Sequence, residues 1–158
     1  IIPRIIDVNI VPSPYLTGVF DKLIDANKET KWAASLETNR GCPFSCAYCD
    51  WGSAVDKKLC TFDLERIFSE IDWFSEHKIE FVTLFDSNFG MLEHDYEIVK
   101  HFAENKIKYG YPESISVQST KNLKEHSFKT YKLLSDMHLK SGVSISLQSL
   151  NRLQKFRH

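Results

Sequence analysis

Apolar and polar positions alternate along this chain with two different periods. Residues 31–38 read as a first strand. From residue 62 to 77, Leu64, Ile67, Phe68, Ile71 and Phe74 recur at steps of three and four. That is the stripe of a helix burying one face, and Thr61 is its expected N-cap. Residues 79–85 are almost continuously apolar, as a strand covered on both faces would be. The segment Asp86-Ser87-Asn88-Phe89-Gly90 reads as a break in that run. A second helix is expected over 94–107, stopped by Gly110 and Pro112. Residues 114–118 alternate as a third strand, and 125–139 read as a third helix closed by Gly142. In a fourth strand over 143–148, Val143, Ile145 and Leu147 share one face, and Ser144, Ser146 and Gln148 share the other.

This β-α-β-α-β-α-β order predicts an α/β fold with parallel strands and helical crossovers. A small open sheet and the front portion of a (β/α) barrel both satisfy it. The polar faces of the third and fourth strands favour the partial barrel, because such a face can line a ligand cavity. An open sheet with helices on both sides wants both faces apolar. Residues 1–30 carry Pro3, Pro12, Pro14 and Gly18 and read as a lead-in or linker; residues 31–158 form the expected barrel domain. A closed barrel needs more strands, so the sequence reads as part of a larger enzyme cut at 151–158.

Composition narrows the picture little. The 158 residues are 42% hydrophobic and 26% charged with a net charge of −1, which are ordinary globular values. No basic run suggests nucleic acid, and no apolar run is long enough for a membrane. No targeting segment is visible, which predicts a cytoplasmic protein. Three of the four cysteines fall within eight residues, and such crowding in an intracellular chain points to metal or redox chemistry.

Those cysteines, Cys42-x3-Cys46-x2-Cys49, occupy the loop after the first strand. In a parallel α/β array that loop lies at the carboxyl end of the strands, where active sites collect. Thiolate is the ligand that iron–sulfur clusters take, and three thiolates on one loop can each hold one iron of a cubane, leaving the fourth iron open. The competing reading is structural zinc, which wants four protein ligands, commonly from paired Cys-x2-Cys units. Only one such unit is present, and Cys60 reads as a small semi-buried residue. Three functional classes stay open on the residues: an enzyme, an incomplete cluster-binding product without turnover, and a small zinc-stabilised binding module.

The motif, with Tyr48 just before its third cysteine, resembles that of the radical S-adenosylmethionine (radical SAM) superfamily. The wider string ETNRGCPFSCAYCDWG (37–52), together with PSPYLTGVFD (12–21) and DSNFG (86–90), is similar to a cobalamin-associated branch of that superfamily. The resemblance implies the front portion of a TIM-like barrel and a [4Fe-4S] cluster on Cys42, Cys46 and Cys49. It implies S-adenosylmethionine on the open iron, cleaved to a 5′-deoxyadenosyl radical, and radical methylation of a small metabolite or peptide as one outcome. Cobalamin would come from a domain outside this sequence, and electrons from a donor such as a flavodoxin or ferredoxin. Tyr48 would lie near the adenine. Asp86, Ser87 and Asn88 fall where the superfamily receives the methionine amino group, and Gln118 and Gln148 end strands that can reach ribose or carboxylate. Which residues are catalytic the resemblance does not say.

Overall fold

The structure is a computed structural model that describes residues 5, 7–44, 46, 49 and 58–140. A three-stranded parallel sheet in the order β1-β4-β5 forms its centre: β1 is Ala33–Leu36, β4 is Phe81–Phe89 and β5 is Ser114–Ser119. A short antiparallel pair, β2 (Asn39–Arg40) and β3 (Cys60–Thr61), stands at the end of β1. Helix α1 (Asp21–Ala26) precedes β1. The helices α2 (Leu64–Glu76), α3 (Asp95–Tyr109) and α4 (Glu125–Asp136) follow β3, β4 and β5 in turn. The expected fourth strand, with Gln148, lies outside the described residues. The chain does return to the outer edge of β5 after α4, where Ile115 N donates to the Leu139 carbonyl at 2.8 Å.

Strand register explains the layering. Ala34, Val82 and Ile115 share one row, and Leu36, Leu84 and Val117 the next. These rows meet Ile67, Ile71 and Phe74 of α2, Ile98, Val99 and Phe102 of α3, and Leu134 of α4 in the core. At ~25 cal/mol per Å² of apolar surface, that cluster is the main stabilising term of the fold. The opposite face carries Ser35, which is exposed, with Thr83 and Ser116, which are half-buried, in one row. Residues 79–85 are therefore not covered on both faces as expected: Phe81 is 38% exposed and Phe85 60%. Among the described residues, the three longer helices pack on one side of the sheet, the arrangement of a barrel wall.

The lead-in packs on the sheet. The Tyr15 hydroxyl donates to the Ser35 carbonyl at 2.6 Å and accepts from Ser35 N at 3.2 Å, which satisfies the free edge of β1. Its ring rests against Phe20, Trp73 and Phe74. Asn9 grips Asp63, the N-cap of α2, through both its side-chain atoms. Thr61 does not take the capping role expected of it, because its backbone pairs with Asn39 in the β2–β3 neck.

β4 is longer than its apolar run. The expected break at Asp86 is instead strand to Phe89, but strand of irregular register. Five steps along β4 from Leu84 to Phe89 match two along β5 from Val117 to Ser119. A bulge of this kind bends the strand and re-aims its side chains. The true end is Gly90, at φ +87°, where a Cβ would stand 2.5 Å from the Tyr131 hydroxyl oxygen. That hydroxyl donates to the Phe89 carbonyl and accepts from Thr120 N at 2.8 Å, tying the ends of β4 and β5 together. Asp95, the first residue of α3, closes the following turn by accepting from Gly90 N at 2.7 Å and Leu92 N at 3.0 Å. Among the described residues, no helix is long and apolar enough to cross a membrane.

A side chain at position 90 meets both backbone strain and the Tyr131 hydroxyl. We expect Gly90→Ala to cost about 2 kcal/mol or more of stability, read as a lower midpoint in denaturant. A midpoint equal to the parent's would contradict the tight β4–α3 turn.

Candidate cofactor site

The cysteine loop leaves and re-enters the fold through a narrow neck. Asn39 pairs with Thr61 and Arg40 with Cys60, and Phe62 N donates to the Thr38 carbonyl at 3.0 Å to extend the pairing. Gly41 follows at φ +108°, with the Lys58 carbonyl 2.5 Å from where its Cβ would be. The two chain ends of the loop can approach this closely only with glycine there. Two-residue strands carry no periodicity, so sequence patterning could not reveal this neck.

The bulged end of β4 grips the neck with consecutive polar side chains. The Asp86 carboxylate is fully buried and accepts from Thr38 N at 2.7 Å, Asn39 N at 3.0 Å and the Thr38 hydroxyl. Burial pushes its pKa up to about 6, although the bonds from Thr38 and Asn39 favour the charged form. The Ser87 hydroxyl donates to the Gly41 carbonyl at 2.8 Å. The Asn88 side-chain amide donates to the Cys42 sulfur at 3.2 Å and to the Ser87 hydroxyl at 3.3 Å. Three successive residues of β4 thus hold positions 38, 39, 41 and 42.

Cys42 and Cys46 are half-buried and Cys49 is exposed; Cys49 N donates to the Cys46 carbonyl at 3.1 Å, so a tight turn joins the last two. Neither these three nor Cys60 forms a disulfide. Among the described residues, no group of three His, Cys, Asp or Glu side chains is placed to hold a metal ion, so the choice of metal rests on the chemistry of the donors. A tetrahedral zinc site needs four donors on one ion. A cubane gives each thiolate its own iron. Cys60 packs against the hydrophobic core from β3, which takes it out of a zinc set. The donor set, soft thiolates on one loop with an amide N–H aimed at Cys42, fits an iron–sulfur cluster. Tyr48 lies outside the described residues, as does Gln148.

The face of the sheet opposite the core is polar. Ser35, Thr83 and Ser116 give it a row of hydroxyls, and Gln118, near the end of β5, is exposed. Phe85 stands exposed beyond Thr83. The exposure of Phe85 was not expected from the sequence, because an aromatic in an apolar run reads as core. Sequence reading also missed Thr38 and Asn39, which reach Asp86 through two backbone N–H groups and the Thr38 hydroxyl, none of which a sequence pattern reveals. A cavity of about 180 Å³ beneath α1, lined by Tyr15, Ile24, Trp32 and Trp73, has none of the cysteines in its wall.

Comparison with known proteins follows the same residues. The family model described as the radical SAM superfamily matches residues 36–158, from the last residue of β1 onward. A 2-(S-pantetheinyl)-carbapenam-3-carboxylate methyltransferase of Streptantibioticus cattleyicolor is 42% identical over 150 residues, covering 94% of this chain and 22% of the relative. The cobalamin-dependent radical SAM methyltransferase TokK of Streptomyces tokunonensis is 41% identical over 150 residues, again 94% of this chain and 22% of the relative. The chain therefore spans about a fifth of the length of these relatives. A cysteine triad carried from the carboxyl end of a parallel sheet, within a match covering most of the chain, leads to one family: this chain belongs to the radical SAM superfamily.

Proposed function

We propose that this chain is the cluster-bearing part of a radical SAM methyltransferase. Cys42, Cys46 and Cys49 would hold the cluster's irons, and the iron left without a protein ligand would be open to the amino and carboxylate groups of S-adenosylmethionine. When bound and reduced, the cluster supplies one electron that splits S-adenosylmethionine into methionine and a 5′-deoxyadenosyl radical. The observation that carries this reading is the grip of β4 on the cysteine loop: Asp86, Ser87 and Asn88 reach Thr38, Asn39, Gly41 and Cys42. Such a grip fixes a ligand loop before its cofactor arrives.

The chain's own residues then divide the work. Asp86 is turned inward and saturated by three donors, so its task is to set the loop rather than to touch a ligand. Ser87 and Asn88 stand between it and the cluster. Gln118 and the hydroxyl row of Ser35, Thr83 and Ser116 offer polar contacts for ribose and carboxylate on the polar face. Phe85 offers an exposed aromatic surface for a flat or apolar group beside them. Tyr48 stays assigned to the adenine, and Gln148 to the same polar face, by the family resemblance. Methylation of a small metabolite or peptide, cobalamin held by another part of the whole protein, and a flavodoxin or ferredoxin as electron donor complete the proposal. The methyltransferase names of both relatives support it, and one of those names states cobalamin dependence.

Two outcomes test the reading. Anaerobically reconstituted and reduced protein should form 5′-deoxyadenosine from S-adenosylmethionine. Alanine at Cys42, Cys46 or Cys49 should drop that product to the no-enzyme background, while Cys60→Ala should keep it. Equal loss at Cys60 would show the ligand set to be wrong.

The second concerns Asp86. Its folded pKa is raised, so its contribution to stability is fully present below about pH 4 and is lost as the pH rises through about 6. The span corresponds to at most about 3 kcal/mol. Asp86→Asn should flatten this part of the pH–stability curve, measured by denaturant unfolding between those values. A slope unchanged by the substitution would place the titration elsewhere.

A further inference from the structure

We infer that Asn88 sets the reduction potential of the cluster through a hydrogen bond to the Cys42 sulfur, an inference that rests on the cluster reading above. The geometry is specific. Asn88 is 6% exposed, and its amide nitrogen lies 3.2 Å from Cys42 Sγ. The amide has two N–H groups, and both have partners: the Cys42 sulfur and, at 3.3 Å, the Ser87 hydroxyl. The Ser87 proton goes in turn to the Gly41 carbonyl. The direction of the whole chain is therefore set from its far end. The Ser87 oxygen is left to accept from Asn88, and the amide presents nitrogen, not oxygen, to the sulfur.

That orientation suits a metal-bound sulfur. A ligating thiolate has no proton and can only accept, whereas an amide oxygen turned toward it would repel it. The bulge in β4 makes the contact possible, because regular register would not send Asp86, Ser87 and Asn88 in succession toward one loop. Burial of Asn88 then strengthens the bond, since little water competes for its N–H groups.

The electronic consequence follows. An N–H dipole on a cysteine sulfur draws electron density away from the iron, so the added electron of the reduced cluster is stabilised. Asn88 does this without a net charge. Its removal lowers the potential and leaves the ligand set intact. Asn88 acts through Cys42 and is a positioning and tuning residue.

The test is a midpoint-potential titration of the reconstituted full-length protein, followed by electron paramagnetic resonance. Asn88→Leu should take up iron as the parent does and shift the reduction equilibrium about tenfold toward the oxidised form, which is about 59 mV for one electron. Asn88→Asp, which removes the donor and adds a negative charge, should shift it further the same way. An unchanged midpoint in a fully loaded Asn88→Leu protein overturns the inference. If the leucine variant takes up no iron, the parent protein decides. Parent protein grown with side-chain isotope-labelled asparagine should show a changed nitrogen hyperfine coupling on the reduced cluster, and no change overturns the inference. Parent protein that assembles no cluster at all overturns the function reading itself, whereas a loaded, S-adenosylmethionine-cleaving protein with an unmoved midpoint removes only the role of Asn88.

Discussion

A buried carboxylate holds this structure in its functional shape. Asp86 has no exposed surface, yet it sits in a strand whose preceding inward residues are Val82 and Leu84. Placing a carboxylate there is costly, because an ionised group loses its hydration and regains it only through fixed donors. Thr38 and Asn39 supply those donors, two from backbone N–H groups that the turn between β1 and β2 would otherwise leave unpaired. Each side answers the other's deficit. The result is a fixed junction between the sheet and the neck from which the cysteine loop departs.

That junction lets one strand serve two purposes. The first half of β4 is core: Val82 and Leu84 pair across to β1 and β5 and lie under the helices. Its second half is site: the bulge abandons the register with β5 and turns Asp86, Ser87 and Asn88 toward the loop. The hydrophobic half anchors the polar half. Gly90 and the Tyr131 hydroxyl then re-join the strand to β5 and α3 beyond the irregular stretch. A cysteine loop whose cysteines are half-buried or exposed is thereby held at its base by a rigid element.

The sequence made the parallel α/β order, the three longer helices and the cysteine motif legible, since each has a period or a spacing of its own. It misled at 86–89, where turn-forming residue types occupy a strand because their side chains bond to neighbours across space instead of to their own backbone. It misled again at Phe81 and Phe85, where an apolar run suggested burial on both faces of the strand. A sheet covered on one side leaves every second residue open whatever its type. The β2–β3 neck was invisible, being too short to carry a pattern, and it displaced Thr61 from the capping role its residue type suggested. Among the candidate site residues, the cysteine triad stands out in the sequence by its spacing. The donors from Thr38 and Asn39 do not, because two of the three belong to the backbone and the third, the Thr38 hydroxyl, has no spacing that marks it.

The central claim is that three thiolates hold a cubane and leave one iron to the cofactor. Mössbauer spectroscopy of the anaerobically reconstituted, iron-isotope-enriched protein addresses it directly. The account predicts about four irons per chain, of which a single one changes its spectrum when S-adenosylmethionine is added. Four irons that ignore S-adenosylmethionine, or a colourless protein holding one zinc, would contradict it.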